Sequence, residues 1–232
     1  MSKQHKKIAI FDIDGTVFRS SLLVELVDEL ISRGLFPKDA LKVFHAEKVA
    51  WKNRKGSYEA YITAVISAFE QHIKGLDYST FNEVAKILVA AKKDELYRFT
   101  RDLIAELKRK QYYLLAVSQS PKSILELLCR RLGFDKVYGR IYEIGPTDRF
   151  TGVITDIHLI ANKSNIVRRV LLKEGFDLRG SIGVGDTEGD ISFLELVERP
   201  ICFNPNLGLY KHARRNKWEV VVERKDVVYE IQ

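Results

Sequence analysis

The sequence predicts an α/β protein: a doubly wound parallel sheet that carries an inserted bundle of four helices. Three observations support this fold class. Short apolar runs typical of buried strands recur along the chain, and segments with helical spacing of apolar residues separate most of them. One long interval after the first run contains helical patterns alone. Alternating strands and helices favour a Rossmann-like parallel sheet, and the helical interval favours an insertion.

The length and composition fit one large domain or a core with an insert. The chain has 232 residues, of which 46% are hydrophobic and 30% charged, as in ordinary soluble globular proteins. No run of about 18 apolar residues predicts a membrane helix. Lys3, Lys6 and Lys7 precede an apolar stretch of only residues 8–11, which Asp12 ends, so the start does not resemble a secretion signal. We therefore expect a cytoplasmic protein with no membrane partner.

The charge balance and the cysteines narrow the expected partners. The net charge is +7, from 38 basic and 31 acidic residues. The basic residues are scattered, with denser clusters at residues 52–55 and 211–217, and neither a zinc-finger spacing nor an aromatic RNA-binding pattern is present. This favours small anionic substrates and disfavours a nucleic-acid partner. Cys129 and Cys202 stand in apolar surroundings and are expected to be buried thiols in a reducing compartment.

Apolar runs predict the strands of the sheet in order. The expected strands cover residues 7–11, 112–117 and 181–185, with shorter candidates at 200–203 and 218–222. Apolar residues at helical spacing predict core helices over residues 98–110, 124–132 and 166–172. A β-rich segment interrupted by glycine and proline predicts a hairpin-like element over residues 138–158.

The interval from about residue 18 to residue 93 departs from this alternation, because its patterns are helical throughout. The four expected helices cover residues 22–32, 37–53, 57–72 and 79–91. Ser20 or Ser21 is suited to cap the first helix, Gly34 to end it and Pro37 to begin the second. We therefore expect a core formed by residues 1–17 and 94–232, with residues 18–93 inserted as a four-helix-bundle cap.

The first chemical motif is Asp-Ile-Asp-Gly-Thr at residues 12–16, directly after the first predicted strand. Ligands of open α/β sheets bind beyond the carboxyl ends of the strands, where this motif lies. Alternation along an extended chain places the side chains of Asp12 and Asp14 on the same side, and Gly15 can adopt a turn that a bulkier residue disfavours. On its own the motif would also suit a solvated turn with two acidic side chains.

Three further features converge on the same edge of the sheet. Residues 185–190 (GDTEGD) follow another predicted strand, and helical spacing would place Asp186 and Asp190 on one face. Ser118 ends the second predicted strand, and Lys163 opens the helix that precedes the third. Each residue alone also suits an ordinary role, such as a helix cap or a surface charge, but together they predict an active site.

The acidic residues of the two motifs predict a cation site. Asp12, Asp14, Asp186 and Asp190 would bring four carboxylates into one crevice. Two like charges about 4 Å apart repel by about 4 kcal/mol at an effective dielectric constant of about 20, so several such pairs require a counter-ion. Oxygen ligands without a nearby histidine or cysteine favour Mg²⁺ over Zn²⁺. We therefore expect Mg²⁺ as the cofactor.

With these residues identified, the chain resembles the phosphatase branch of the haloacid dehalogenase superfamily. Its organisation is similar to the phosphoserine-phosphatase-like group, which carries a helical cap after the first strand. The resemblance is carried by DIDGT at residues 12–16, Ser118, Lys163 and GDTEGD at residues 185–190. The separation of 23 residues between Lys163 and Asp186 also matches that group. The resemblance extends over nearly the whole chain and is stronger in the core than in the cap.

The resemblance implies a phosphoric monoester hydrolase that acts on a small phosphorylated metabolite. Asp12 would attack phosphorus and form an aspartyl-phosphate. Asp14 would protonate the leaving oxygen and then accept a proton from the hydrolytic water. Mg²⁺ and Lys163 would neutralise charge on the phosphoryl oxygens.

The resemblance also assigns the binding groups. The phosphate is expected to contact Ser118, Gln119, Gly15, Thr16 and Lys163, in part through main-chain N–H groups. The implied metal ligands are Asp12, Asp186 and the main-chain carbonyl of Asp14, with Asp190 in support.

The sequence departs from the phosphoserine phosphatases at three positions, two in the predicted cap and one in the last motif. Their substrate-carboxylate arginine falls at Val65, their ammonium-binding acid at Ser21, and the usual asparagine of the last motif at Gly189. Unpaired charged groups in a desolvated pocket cost roughly 1–3 kcal/mol or more each, so a zwitterionic substrate needs partners. We therefore expect a main substrate other than phosphoserine. The candidate substrate contacts, each of which also suits a solvated or packing role, are Arg19, Lys52, Arg54 and Tyr58.

Three alternatives stay open at this point. The protein could be a phosphoserine phosphatase proper, or a signalling module that accepts a phosphoryl group on aspartate without turnover. The second acid on the motif and the inserted helices disfavour the signalling module, which needs neither. A protein that binds nucleic-acid ends would use the basic surface, but the scattered charge disfavours it. The sequence predicts neither the oligomeric state nor the pathway.

Overall fold

The computed structural model describes residues 7–160 and 162–231, which form one sheet flanked by helices. The strands are β1 (Ile8–Asp12), β2 (Tyr113–Pro121), β3 (Lys136–Ile144), β4 (Phe150–Thr155), β5 (Ile182–Gly185), β6 (Arg199–Phe203), β7 (Glu219–Arg224) and β8 (Val227–Ile231). The helices are α1 (Leu22–Ser32), α2 (Ala40–Lys52), α3 (Tyr58–His72), α4 (Tyr78–Lys92), α5 (Arg98–Arg109), α6 (Lys122–Leu132), α7 (Ile157–Ile160), α8 (Lys163–Glu174), α9 (Ile191–Leu194) and α10 (Leu207–Asn216). A 3₁₀ turn (Glu188–Asp190) precedes α9.

The strand order across the described part of the sheet is β4-β3-β2-β1-β5-β6-β7-β8. The six strands from β3 to β7 in that order are parallel, and the edge strands β4 and β8 are antiparallel to their neighbours. This confirms the predicted doubly wound α/β fold. β1 lies between β2 and β5, where the strand order reverses, and the carboxyl ends of these strands therefore form a ligand-binding position.

Both faces of the sheet are covered, which explains why its strands appear in the sequence as continuous apolar runs. In β1 the side chains of Ile8 and Ile10 enter the hydrophobic cluster on one face, and those of Ala9 and Phe11 enter the cluster on the other. All four are fully buried. A central strand packed on both sides fixes the position of Asp12 at its carboxyl end.

Helices α1–α4, called the helical insert below, follow β1 as the sequence predicted. Ser21, Ser57 and Asp77 cap α1, α3 and α4, because each side chain accepts a hydrogen bond from a main-chain N–H of the first turn. Helix α2 begins at Ala40 rather than at Pro37, since these two residues are joined by a turn hydrogen bond. The insert and one face of the sheet share a continuous apolar cluster, and the division into core and cap stays a prediction.

Strands β3 and β4 form the hairpin predicted over residues 138–158, and this hairpin contacts the helical insert. Gly75 N donates to Phe150 O at 2.8 Å, and Phe150 N donates to Leu76 O at 3.0 Å. The ring of Phe150 packs edge-on against Phe81 of α4. The hairpin thus holds the α3–α4 connection against the edge of the sheet.

The strand bounds, the cysteines and the absence of a predicted membrane helix can also be compared with the structure. Strand β2 continues beyond residue 117 to Pro121, and β8 was not predicted. Cys129 and Cys202 are buried free thiols, as expected. In the described ranges, no helix is both long enough and apolar enough to cross a bilayer. Residues 1–6, on which part of the secretion interpretation rests, lie outside the described residues.

Candidate active site

Functional side chains converge at the carboxyl ends of β1, β2 and β5. Asp12 is the last residue of β1, Asp186 directly follows β5, and Lys163 is the first residue of α8. The pairing of Asp12 with Val117 places Ser118 at the same edge of the sheet. The structure therefore brings together the residues that four distant segments of the sequence contribute.

Lys163 links two of the predicted acids. Its Nζ donates to Asp12 Oδ1 at 2.6 Å and to Asp190 Oδ1 at 2.5 Å, and the lysine is 8% exposed. Burial alone would lower the pKa of Lys163, but the carboxylates of Asp12 and Asp190 outweigh it and raise the pKa above its usual value. Lys163 is therefore a permanent cation beside Asp12.

The loop after β5 fixes the second pair of acids. Asp190 Oδ2 accepts hydrogen bonds from the main-chain N–H groups of Asp186 and Thr187, both at 3.0 Å. Thr16 Oγ1 donates to Asp186 Oδ1 at 3.0 Å. Gly15, at φ +81°, allows this approach, because a methyl group there would collide with Asp186 Oδ2. The glycine of the first motif thus permits contact with the acid of the last.

The carboxylates outnumber the cation at this site. Asp12, Asp186 and Asp190 each offer an oxygen, and these oxygens lie within 4.8 Å of one another. Burial raises the pKa of Asp12 to about 7; Lys163 opposes this shift, while Asp190 and Asp14 add to it. Burial, followed by repulsion from Asp12 and Asp190, also raises the pKa of Asp186. These raised pKa values show that the ionised carboxylates lack enough positive charge in the presence of Lys163 alone, and a metal ion could supply the rest.

The hydrogen bonds indicate which of the three carboxylates could contact such an ion directly and which could only hold the others in place. Both oxygens of Asp190 are engaged, one with Lys163 and one with the loop N–H groups. The hydrogen bonds of Asp12 with Lys163 and of Asp186 with Thr16 run through Oδ1, so the Oδ2 atom of each acid is suited to bind a cation directly. The donor set fits a hard divalent ion, since the cluster formed by the described residues consists of carboxylates.

Asp14 is held apart from this cluster. Its Oδ1 accepts from Leu22 N at 2.6 Å, and its Oδ2 accepts from the hydroxyls of Ser118 and Ser120, the latter at 2.8 Å. Burial raises the pKa of Asp14, although the hydrogen bonds from Ser118, Leu22 and Ser120 oppose the shift. A carboxyl group with a raised pKa is suited to carry a proton.

Several of the predicted phosphate contacts are directed elsewhere. The Ser118 hydroxyl donates to Asp14, accepts from Ser120 N, and is 1% exposed. Gly15 N donates to Phe18 O and Thr16 N to Ile13 O, because the motif closes into a tight turn. The predicted phosphate contacts that line the cavity are Gln119 and Lys163. The other three, Ser118, Gly15 and Thr16, hold the loop and the acids in place beneath it.

A cavity of about 220 Å³ opens above the carboxylates. Its floor contains Asp12, Asp14, Lys163 and Asp186. Its opposite wall is a stripe of helix α3 at helical spacing, in which Tyr58, Ile62 and Ile66 follow one another at every fourth residue. The remaining lining residues are Ser21, Leu23, Glu59, Thr63, Gln119, Ser120, Arg140, Thr187, Glu188, Gly189 and Asn206.

Tyr58 was predicted as a substrate contact, and it lines the cavity. Burial raises the pKa of its phenol, and the carboxylates of Asp14, Asp186 and Asp12 raise it further. The ring packs 5.3 Å from Trp51, centroid to centroid. Tyr58 is therefore a neutral hydrogen-bonding group above the floor of the cavity.

Arg19 and Arg54, which were predicted as substrate contacts, are not among the described residues that line the cavity, and that role stays a prediction. Arg19 donates from Nε to Leu96 O at 2.8 Å and pairs through Nη2 with Glu223 Oε1 at 3.2 Å. Its guanidinium thus joins the loop after β1 to strand β7. Arg54 lies exposed in the turn after α2, at φ +60°. Lys52 ends α2 as an exposed residue and does not line the cavity either.

Ser120 and Arg140 line the cavity but were missed in the sequence. Ser120 could have been found, because it lies two residues beyond Ser118 in a strand and therefore faces the same way. Arg140 stands in a segment predicted to be a hairpin, with no neighbouring motif, and its sequence context gives no signal.

Comparisons with known proteins agree with this geometry. The model of the haloacid dehalogenase-like hydrolase family matches residues 9–195. A protein named Phosphoserine phosphatase SerB1 from Mycobacterium tuberculosis is 24% identical over 217 residues, which cover 91% of this chain and 69% of that protein. A protein named Histidinol-phosphatase from Neisseria meningitidis is 26% identical over 237 residues, covering 93% and 98% respectively.

Solved structures support the fold. The structure of a Bordetella pertussis protein described as having unknown function matches with a TM-score of 0.73 at 19% identity, covering 94% of this chain and 98% of that one. At this identity the likeness concerns the fold alone.

Proposed function

The chain belongs to the haloacid dehalogenase-like hydrolase family and is a phosphoric monoester hydrolase, and from this premise we propose that it is a Mg²⁺-dependent phosphatase whose main substrate is a small phosphomonoester other than phosphoserine. The observation that carries the proposal is the position of Asp12 at the end of β1, on the cavity floor between Lys163 and Asp186. The helical insert would act as the cap that covers the substrate.

Asp12 would be the nucleophile. Its Oδ1 is held by Lys163 at 2.6 Å, which fixes the carboxylate and supplies positive charge next to the incoming phosphate. Attack on phosphorus forms the Asp12–phosphate bond and breaks the ester bond. The raised pKa of Asp14 suits the acid that protonates the leaving oxygen, and ionised Asp14 would then accept the proton of the hydrolytic water.

The metal would be held by Asp12, Asp186 and the main-chain carbonyl of Asp14, with Asp190 as the supporting acid. Bound Mg²⁺ would supply positive charge that neutralises the transferring phosphoryl oxygens. The residues support this assignment because the hydrogen bonds of Asp12 and Asp186 run through Oδ1, and because the raised pKa values of these acids call for more positive charge than Lys163 supplies.

Removing divalent cations is expected to abolish turnover and to lower stability. With millimolar Mg²⁺ the protein should release phosphate from p-nitrophenyl phosphate, and EDTA should stop this until Mg²⁺ is restored. At a concentration about 100-fold above Kd, Mg²⁺ should stabilise the fold by about 2.7 kcal/mol and raise Tm by roughly 5–10 °C. Asp186→Ala should reduce the shift, whereas Asp39→Ala, at an exposed surface pair, should not. An identical melting curve with Mg²⁺ and with EDTA would count against the cation site.

Among the described residues that line the cavity, no cation is free to pair with the carboxylate of phosphoserine. Val65 is fully buried in the apolar cluster, and Ser21, which lines the cavity, is neutral and caps α1. Arg140 and Lys163 are the cations among the described lining residues, and both already pair with acids. Relatives of similar identity are named for different substrates, so similarity alone does not choose between them.

We expect phosphoethanolamine to be hydrolysed at least as efficiently as phosphoserine. The two esters share the phosphate and the amine, and they differ in the carboxylate, which would enter the cavity without a partner. The measurement compares kcat/KM for this pair within a screen that includes sugar phosphates and nucleotides. A preference for phosphoserine of more than about tenfold would instead identify a phosphoserine phosphatase.

A further inference from the structure

We propose that Arg140 is a positioning residue, which braces the phosphate-binding segment of β2 and makes its geometry depend on helix α3. The inference deepens the proposed function and rests on it, because residues 118–120, called the β2 bulge below, adjoin the cavity in which the phosphate would bind. Gln119 and Ser120 line this cavity, and Ser118 donates to Asp14 on its floor. Arg140 belongs to β3, on the far side of β2 from Asp12.

The β2 bulge interrupts the pairing of β2 with β3. Val117 pairs with Tyr138 and Pro121 with Arg140, so four residue steps on β2 are matched by two on β3. Such bulges redirect side chains and are frequent beside active sites. Gly139 accommodates the bulge, because an added Cβ would lie 2.7 Å from Ser120 O. The segment therefore departs from regular strand geometry at the site itself.

Side chains on the two sides of the bulge have different partners. The hydroxyls of Ser118 and Ser120 donate to Asp14, beneath the cavity. The Gln119 side chain faces the cavity, and its Oε1 accepts from Arg140 Nε at 3.2 Å and from Nη2 at 3.0 Å. Two donors of a planar guanidinium on a single oxygen fix the orientation of that amide, because arginine can only donate.

The second side-chain partner of Arg140 belongs to the helical insert. Arg140 Nη1 donates to Glu70 Oε1 at 2.8 Å, and the two side chains are 16% and 33% exposed. Glu70 continues the stripe of α3 that lines the cavity, four residues beyond Ile66. A displacement of α3 would therefore pull on Arg140, and through it on Gln119. On this proposal, a movement of the insert would also change the geometry of the phosphate site.

The test is Arg140→Met, with kcat/KM measured for several phosphate esters. A misplaced binding segment should lower kcat/KM by about 100-fold. Because the phosphate is common to all substrates, the factor should be the same for p-nitrophenyl phosphate, phosphoethanolamine and a sugar phosphate. Arg140→Lys keeps a charge for Glu70 but loses the fork on Gln119, so it should recover part of the activity.

The chain offers a matched control in Arg149. This arginine lies on the same hairpin and also contacts the insert, by donating to Gly75 O at 2.8 Å, but it does not line the cavity. Arg149→Met should keep kcat/KM within about twofold of the wild type. Arg140→Met should add little to the loss caused by Gln119→Ala, since Arg140 acts through Gln119.

Two outcomes would overturn the inference while leaving the proposed function intact. One is wild-type kcat/KM in Arg140→Met, and a lower Tm beside it would make Arg140 a purely structural residue. The other is a loss confined to esters with an anionic leaving group, which would make Arg140 a substrate contact. Inorganic phosphate provides a readout without turnover: it should raise the Tm of the Mg²⁺-loaded wild type more than that of Arg140→Met. If the wild type hydrolyses no ester, the proposed function fails, and an equal phosphate shift in both proteins would reject the positioning role separately.

Discussion

Replacing Asp12 with asparagine is expected to reduce kcat/KM for p-nitrophenyl phosphate by about 10⁴-fold or more, because the amide cannot form the phosphoenzyme. The change is nearly isosteric and leaves Lys163 its second partner, Asp190. The measurement is steady-state turnover at saturating Mg²⁺, together with the fraction of protein that becomes phosphorylated. Both should fall to background.

The Tm of Asp12→Asn distinguishes a loss of chemistry from a loss of folded protein. Burial raises the pKa of Asp12 to about 7 in the fold, above its value in the unfolded chain. Ionised Asp12 therefore disfavours folding at pH values above its unfolded pKa, and the asparagine variant should not have a lower Tm in the absence of Mg²⁺. Asp39→Asn is the surface control and should retain activity. Full activity of Asp12→Asn in Mg²⁺ would show the mechanism to be wrong.

The convergence of Asp12, Lys163 and Asp186 could be predicted because each stands at or directly after the end of a strand or at the start of a helix. Asp12 and Lys163 are 151 residues apart in the chain, yet they form a 2.6 Å contact. Parallel strands bring their carboxyl ends to one edge, so motifs that follow buried strands must meet there. Lys163 could be included because it opens the helix that precedes β5.

Sequence and structure differ where tertiary contacts override the local pattern. Arg19 follows the first motif closely, but the turn made by Gly15 directs the chain so that the guanidinium pairs with Glu223 instead of entering the cavity. Strand β8 was missed because its two-residue turn contains Lys225, at φ +53°, rather than the Asn-Gly or Asp-Gly pair that marks tight hairpins.

The Arg140 network could not have been predicted for a different reason. Glu70 and Arg140 are 70 residues apart, and neither belongs to a motif. Their contact depends on how the α3 stripe packs over the β2 bulge, and an irregularity of strand register leaves no periodic trace in a sequence. The location of the acids and Lys163 is determined by the backbone topology, which a sequence pattern can predict. The location of Arg140 and Glu70 relative to each other is determined by side-chain packing, which it cannot predict.

Asp14→Asn is expected to separate the two chemical steps. For alkyl phosphates the variant should lose about 10²–10⁴-fold in kcat, because the leaving oxygen needs a proton. Nitrophenolate leaves without one, so p-nitrophenyl phosphate should still phosphorylate Asp12. Hydrolysis of the phosphoenzyme would then be slow, since it needs ionised Asp14 as base. The expected result is a burst of about one equivalent of nitrophenolate followed by slow turnover.

The surroundings of Asp14 make this test interpretable. An asparagine can still accept from Leu22 N through its oxygen, and its NH₂ group can donate to the hydroxyls of Ser118 and Ser120, which are free to rotate. The start of α1 and the β2 bulge should therefore keep their geometry, and Tm should change little. Asp12→Asn, measured in parallel, should show no burst. If Asp14→Asn hydrolysed alkyl phosphates at the wild-type rate, Asp14 would be a structural cap of α1 and another group would transfer the proton.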